Sequence, residues 1–143
     1  MSLRSVDSIE RSVHKTNEWL SQLAQELGTE SREETWRVLR AYLQMLRDEV
    51  TVDEAAQLAA QLPEVLRGAF YEGFVPSRQP ARLRHRDEFL DRLAERAQLP
   101  GRDAAAHAAE AATVVLERHV SEGEVQDVFA QLPGEVREVL QHH

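Results

Sequence analysis

The residues with the greatest capacity for chemistry lie between positions 71 and 86. Two aromatic residues begin this stretch, and basic side chains then follow with no acid until Asp87. In a chain of net charge −8, this is a local reversal of sign. Guanidinium groups hold phosphates and carboxylates through paired hydrogen bonds, so the stretch predicts a surface for a phosphate-bearing ligand or an acidic partner. The residues of this linker set are Tyr71, Phe74, Arg78, Arg82, Arg84, His85 and Arg86.

A purely structural role for the linker set is the alternative. Its arginines could pair with acidic helices of the same chain, while Tyr71 and Phe74 pack the linker down. The sequence leaves both interpretations open.

The histidines and carboxylates lack the spacing of a metal site. Di-iron sites in helical bundles use Glu-x-x-His pairs on two helices, whereas His85-x-x-Glu88 and His107-x-x-Glu110 run in the reverse order. Glu10, His14 and Glu18 recur at intervals of four, but they lie away from the apolar stripe of their helix. We therefore predict that they face solvent, and we expect no metal and no cofactor.

Residues for covalent catalysis are also missing from the sequence. The chain has no Cys, which excludes thiolate nucleophiles, disulfides and iron–sulfur clusters. It has no Gly-x-Ser-x-Gly motif, and Lys15 is its sole lysine, so a phosphate-binding loop ending in Gly-Lys cannot occur. No catalytic residue is predicted. The sequence favours a non-enzymatic protein and leaves an enzyme of an unrecognised kind open.

Charge and hydropathy restrict the partners and the compartment. An acidic chain disfavours nucleic acid and anionic lipid, which need a basic surface. No run approaches the ~18 apolar residues of a membrane span, and residues 1–7 lack the apolar core of a secretory signal. We expect a cytoplasmic protein, from a bacterium on the basis of its arginine and alanine bias. Its partner would be another protein or a second copy of the chain; His142 and His143 could be native or part of a purification tag.

Apolar periodicity and helix-capping residues predict the elements that position the linker set. Ile9, Val13, Thr16 and Leu20 begin a stripe that continues to Leu27, typical of an amphipathic helix. Gly28 is a natural left-handed stop. The sequences 31–34 and 51–54 read as capping boxes, in which a hydroxyl accepts an amide and a Glu carboxylate returns the bond. Pro63 then favours the first turn of a further helix.

The same pattern recurs 70 residues later without insertion or deletion. Gln61-Leu62-Pro63 returns as Gln131-Leu132-Pro133, and the cap at Thr51 returns at Ser121. We therefore predict an all-α fold of about eight helices, arranged as two tandem pseudo-symmetric four-helix units that share one core. Residues 1–143 would form a single domain, with repeats at about 6–73 and 83–140 joined by a Pro/Arg-rich linker at 74–82.

The second helices of the two units differ in side-chain size. Trp36 and Tyr42 correspond to Ala106 and Ala112. If these helices cross, the large side chains could fill the space that the alanines leave. This hypothesis predicts that Trp36 lies in the shared core.

Several segments resemble a bacterial family labelled domain of unknown function 2267. The carriers are the capped helix at 51–63, the junction Leu66–Pro76, the run Arg84–Leu90 and the ending His119–Glu124. The resemblance covers nearly the whole chain, although Phe74 stands where Trp is expected. It implies a small helical protein and no established activity.

These observations lead to two functional expectations. The first is a non-enzymatic interaction or regulatory module that presents helix faces and the linker to another protein. The alternative is a protein that binds, or acts on, a small phosphorylated or anionic ligand through the linker arginines.

Overall fold

The chain folds into α-helices throughout the range that the structure describes. This structure, a computed structural model, describes residues 6–141 and contains eight α-helices and no strand in that range. The expectations for residues 1–5 and for His142 and His143 concern positions outside it. The helices are α1 (Asp7–Leu27), α2 (Arg32–Glu49), α3 (Val52–Ala59), α4 (Glu64–Tyr71), α5 (Arg86–Ala97), α6 (Arg102–His119), α7 (Glu122–Ala130) and α8 (Gly134–Gln141).

This architecture confirms the predicted all-α fold class. The bounds of α2 and α6 are 70 residues apart, as are those of α4 and α8. The packing is compatible with two tandem units, and the duplication itself stays a prediction. Within residues 6–141, no helix is both long and apolar enough to cross a membrane.

Local capping chemistry sets the helix ends at the predicted positions. Gly28 ends α1 at a φ of 76°, a backbone conformation that glycine adopts without steric cost. The hydroxyls of Ser31, Thr51 and Ser121 each accept the amide N–H three residues further on, at 3.1, 3.1 and 3.3 Å. Each of these hydroxyls satisfies a helix N–H that would otherwise lack a partner.

The second half of each predicted capping box is wrong. The Glu34 carboxylate accepts the Thr29 hydroxyl and does not return to Ser31, whose amide donates to Thr29 Oγ1 instead. The amide of Thr51 donates to the side chain of Gln131, at 2.9 Å. A side chain from the other half of the chain therefore completes the cap of α3.

One hydrophobic cluster runs through both halves of the chain. Helices α1 and α5 each pack against both α2 and α6, so the two halves interleave. The fully buried Tyr42 of α2 places its hydroxyl 2.8 Å from that of Thr113 on α6. Trp36 packs only partly buried at the edge of this core, so the crossing of α2 and α6 centres on Tyr42.

The predicted buried face of α1 is wrong for its first half. Ile9 and Val13 are 55% and 45% exposed, whereas Ser12 and Trp19 are buried. The reason is a tertiary contact: α4 packs on α1 and donates its Val65 amide to the Ser12 hydroxyl, at 3.1 Å. This contact rotates the buried face of α1 away from the apolar stripe of the sequence.

Candidate functional site

The linker between α4 and α5 is longer than predicted and is tied to the end of α2. It runs from 72 to 85 and includes a 3-10 turn at Pro76–Arg78, where no helix was predicted. The Ala81 amide donates to the Asp48 carbonyl at 2.6 Å, and the Gln79 side chain donates to the Val50 carbonyl at 2.8 Å. These bonds place the linker arginines at a fixed point on the helical body.

Arg47 of α2 holds the start of the linker. Its side chain is only 3% exposed, and it donates to the carbonyls of Phe70 and Glu72 at 2.8 and 2.7 Å. It also pairs with Asp48 at 2.8 Å and lies over the ring of Phe74, 5.6 Å from its centre. Arg47 therefore acts as a structural clamp.

The two aromatic members of the linker set pack beside this clamp. The rings of Tyr71 and Phe74 lie 5.5 Å apart, and Tyr71 meets Phe70 edge-on at 5.2 Å. Both side chains are half-buried. Their contacts fit the structural alternative, in which these residues pack the linker down.

Glu49 holds the other end of the linker. Both of its carboxylate oxygens accept the Leu83 amide, at 2.9 and 3.0 Å, and the side chain is 1% exposed. Burial raises the pKa of Glu49 to about 7, against the lowering effects of the Leu83 amide and of the Arg82 charge. Glu49 can therefore change protonation state near neutral pH while it contacts the linker.

Arg82 and Arg84 lie together on a shallow cleft. Both side chains are exposed, and neither forms an ion pair with any described residue. The turn that leads into α8 forms the opposite wall of this cleft, whose volume is about 500 Å³. The lining residues are Arg82, Arg84, Ala130, Gln131, Leu132, Pro133, Gly134 and Glu135.

The corresponding place in the first half of the chain is closed. There the Ser12 hydroxyl caps the Val65 amide near the start of α4. Seventy residues on, Arg82 takes the place of Ser12 and Glu135 that of Val65. No side chain within residues 6–141 accepts the Glu135 amide, so this end of α8 stays open toward the two arginines.

The remaining basic residues of the linker set do not join this cleft. His85 Nδ1 lies 3.0 Å from the Glu135 carboxylate, which lowers the pKa of Glu135. Arg86 pairs with Asp87 at 3.5 Å and lines a separate cleft between α5, α6 and α8. Arg78 is exposed on the 3-10 turn. The structure therefore brings only Arg82 and Arg84 of the seven predicted residues together as an open basic pair.

Sequence reasoning missed the polar contacts between α3 and α7. Gln131 Oε1 accepts the Thr51 amide at 2.9 Å, and Gln61 Oε1 accepts the Ser121 amide at 2.8 Å. The two helices therefore run antiparallel and exchange caps. The signal was present as the recurring Gln-Leu-Pro, which was interpreted only as a helix break.

Three acidic side chains meet beside these caps. Carboxylate oxygens of Glu54, Glu124 and Asp127 all lie within 4.8 Å of one another. Glu54 and Glu124 are each 7% exposed, and each has one buried oxygen without a hydrogen-bond donor in the described structure. The apposition of two buried carboxylates is thus a second unusual feature.

Comparison with known proteins places the chain in a family without assigning an activity. No curated protein matches the sequence. A family described as "Uncharacterized conserved protein (DUF2267)" matches residues 16–139, which is most of the chain and includes the linker and both caps. The chain belongs to the DUF2267 family.

Proposed function

We propose that this protein is a non-enzymatic interaction module of the bacterial cytoplasm, which binds an acidic segment of a protein partner at Arg82 and Arg84. The observation that carries this proposal is the open basic pair itself. Two guanidinium groups without an ion pair lie on one cleft of a chain whose net charge is −8. Acidic chains seldom leave arginines free of their own carboxylates without a use for them.

The attachment of the linker supports a binding role for this cleft. The Leu83 amide, between the two arginines, is fixed by the Glu49 carboxylate. Arg82 and Arg84 therefore start from a backbone that is already ordered, which reduces the entropy lost on binding. Guanidinium groups suit carboxylates because each can donate two parallel hydrogen bonds.

The composition of the cleft supports binding rather than catalysis. Glu135 is its single carboxylic acid, and the pKa of this group is lowered by His85. A carboxyl group that is ionised well below neutral pH is a weak proton donor. The remaining lining side chains are amide, apolar or guanidinium groups, which do not act as nucleophiles.

A labelled octaglutamate peptide tests this function directly. Fluorescence anisotropy at low salt compares wild type with the double variant Arg82→Gln/Arg84→Gln and with Arg92→Gln, which removes an exposed arginine on α5. Loss of two exposed pairs at roughly 0.5–1 kcal/mol each predicts five- to thirtyfold weaker binding by the double variant. Arg92→Gln should bind as wild type does.

Two results would count against the peptide site. Equal binding by the double variant would remove Arg82 and Arg84 from the interaction. No binding by wild type at low salt would also refute it, because the electrostatic attraction is strongest there. A positive result would justify a pull-down from the source organism with both variants, in which the natural partner should be retained by Arg92→Gln and lost by the double variant.

A small phosphorylated ligand is the second candidate. The cleft volume of about 500 Å³ lies in the range of small-molecule sites. A thermal-shift screen of nucleotides and sugar phosphates tests it: a ligand-specific rise of several degrees that disappears in the double variant would favour this candidate over the peptide. Arg86→Gln serves as a separate arm, since Arg86 lines another cleft.

A further inference from the structure

We propose that Glu54 and Glu124 share one proton and that this proton holds α3 against α7. The contact would then be a proton-dependent joint between the two halves of the chain, separate from the arginine cleft. Its evidence lies in the geometry of the two helices and in the charges around them.

The two carboxylates are held face to face. Each belongs to the third residue of its helix, and each backbone amide is fixed by the helix cap, Thr51 for Glu54 and Ser121 for Glu124. The exchanged glutamines hold the helices in register on both sides. Gln131 also donates to Glu54 Oε1 at 3.2 Å, which fixes that side chain. Neither carboxylate can therefore turn away without disturbing a cap.

No cation compensates the pair. Neither Glu54, Glu124 nor Asp127 forms an ion pair with a basic side chain in the described part of the chain. The charges that act on Glu124 are both negative: Glu54 from α3 and Asp127 from α7 itself. Helix α6 also packs on α7, but its Glu117 lines a cleft with Glu122 and Phe129 on the opposite side of α7.

Two adjacent carboxylates with so little exposure cannot both remain charged near neutral pH. A single proton resolves the conflict, since the protonated carboxyl donates to the other and gives both buried oxygens a partner. The first turn of a helix favours one negative charge, which suits a pair that keeps one charge and one proton. Burial and the Glu54 carboxylate accordingly raise the pKa of Glu124 to about 8.

Opening the joint must then release a proton. Once exposed, both carboxyls return to the ordinary glutamate value of 4.5. Between that pH and about 8, the closed state therefore holds one proton more than the open state. The equilibrium constant for separating α3 from α7 should rise roughly tenfold per pH unit across this window and level off above it.

Carboxyl-carbon NMR of ¹³C-glutamate-labelled protein tests the shared proton. The titration runs from pH 4 to 10 in EDTA, so that trace cations cannot screen the carboxylates. We expect one proton to remain on the pair until about pH 8, with both Glu54 and Glu124 resonances responding to its loss. If both carboxyls instead titrate below pH 5.5, the proposal is overturned, and this result needs only the wild-type protein.

Native-state hydrogen exchange tests the joint. After correction for intrinsic rates, amides of α3 and α7 should lose protection roughly tenfold per pH unit between pH 5 and 8 in wild type. Glu124→Gln mimics the protonated form and should abolish this dependence, whereas Asp53→Asn, an exposed neutralisation on the same turn of α3, should keep it. An identical dependence in wild type and Glu124→Gln would refute the role of the proton in holding the helices.

Discussion

Replacement of Arg47 by Met is the sharpest test of how the linker is held. Methionine fills much of the volume of the arginine stem, but it cannot donate a hydrogen bond. The substitution therefore removes the donors to the Phe70 and Glu72 carbonyls and leaves most of the packing. Asp48 keeps a partner, because Arg96 lies 3.1 Å from its other oxygen.

The magnitude follows from the groups left without partners. A buried polar group that loses its hydrogen bond costs about 1–3 kcal/mol. The Phe70 carbonyl is bonded in a buried place and the Glu72 carbonyl in a partly buried one, so the two together should cost about 3 kcal/mol. Replacing a whole buried ion pair by apolar groups can be neutral, but here the carbonyls belong to the backbone and remain. For a chain of 143 residues, the same loss lowers Tm by roughly 10 °C.

Urea unfolding and calorimetry measure this loss, and Arg92→Met is the matched control. Arg92 is exposed and forms no ion pair among the described residues, so its replacement should change stability by less than about 0.5 kcal/mol. Brief trypsin digestion provides a second readout, since release of the linker should speed cleavage after Arg78 and Arg82. A loss below about 1 kcal/mol, with unchanged cleavage, would show that Arg47 does not clamp the linker.

Three further predictions concern the core, the pH dependence and the surface. Tyr42→Phe should cost about 1 kcal/mol in urea unfolding, because it removes the buried bond to Thr113, which keeps a second bond to a helix carbonyl; no loss would contradict the burial of that hydroxyl pair. The raised pKa of Glu49 means that the folded state binds its proton more tightly, so the free energy of unfolding should fall by up to about 3 kcal/mol between pH 4.5 and pH 7. Glu49→Gln should flatten that part of the curve, and an unchanged slope would reject the assignment. Ile9→Ser should cost less than about 0.5 kcal/mol and Leu23→Ala about 2–5 kcal/mol, the reverse of what equal burial along the apolar stripe would produce.

Local signals made the helices predictable from the sequence. A glycine at a left-handed position and a hydroxyl before a helix act through bonds that span only a few residues, so Gly28, Ser31 and Thr51 perform their predicted roles. The buried face of α1 was not predictable in the same way. Ile9 and Val13 have the right periodicity, but the neighbouring helix determines which side is covered.

The candidate site was predictable in place but not in membership. The charge reversal located the linker, yet only contacts over long sequence separations distinguish Arg82 and Arg84 from His85, which pairs with Glu135 fifty residues away. Arg47 was missed, although it follows Leu43 by four positions on the buried side of α2. A charged residue on an apolar stripe is the signal that could have identified it.

The exchange of glutamines between α3 and α7 has a consequence for any attempt to divide the protein. Each half carries a hydroxyl cap with an amide that it cannot satisfy alone, and each carries the glutamine that satisfies the other. A fragment containing either half would therefore expose an unfilled acceptor and an unfilled donor that match those of its own copies. Such fragments should seek one another in solution, like to like, and the intact chain can be regarded as a dimer whose subunits are covalently tethered.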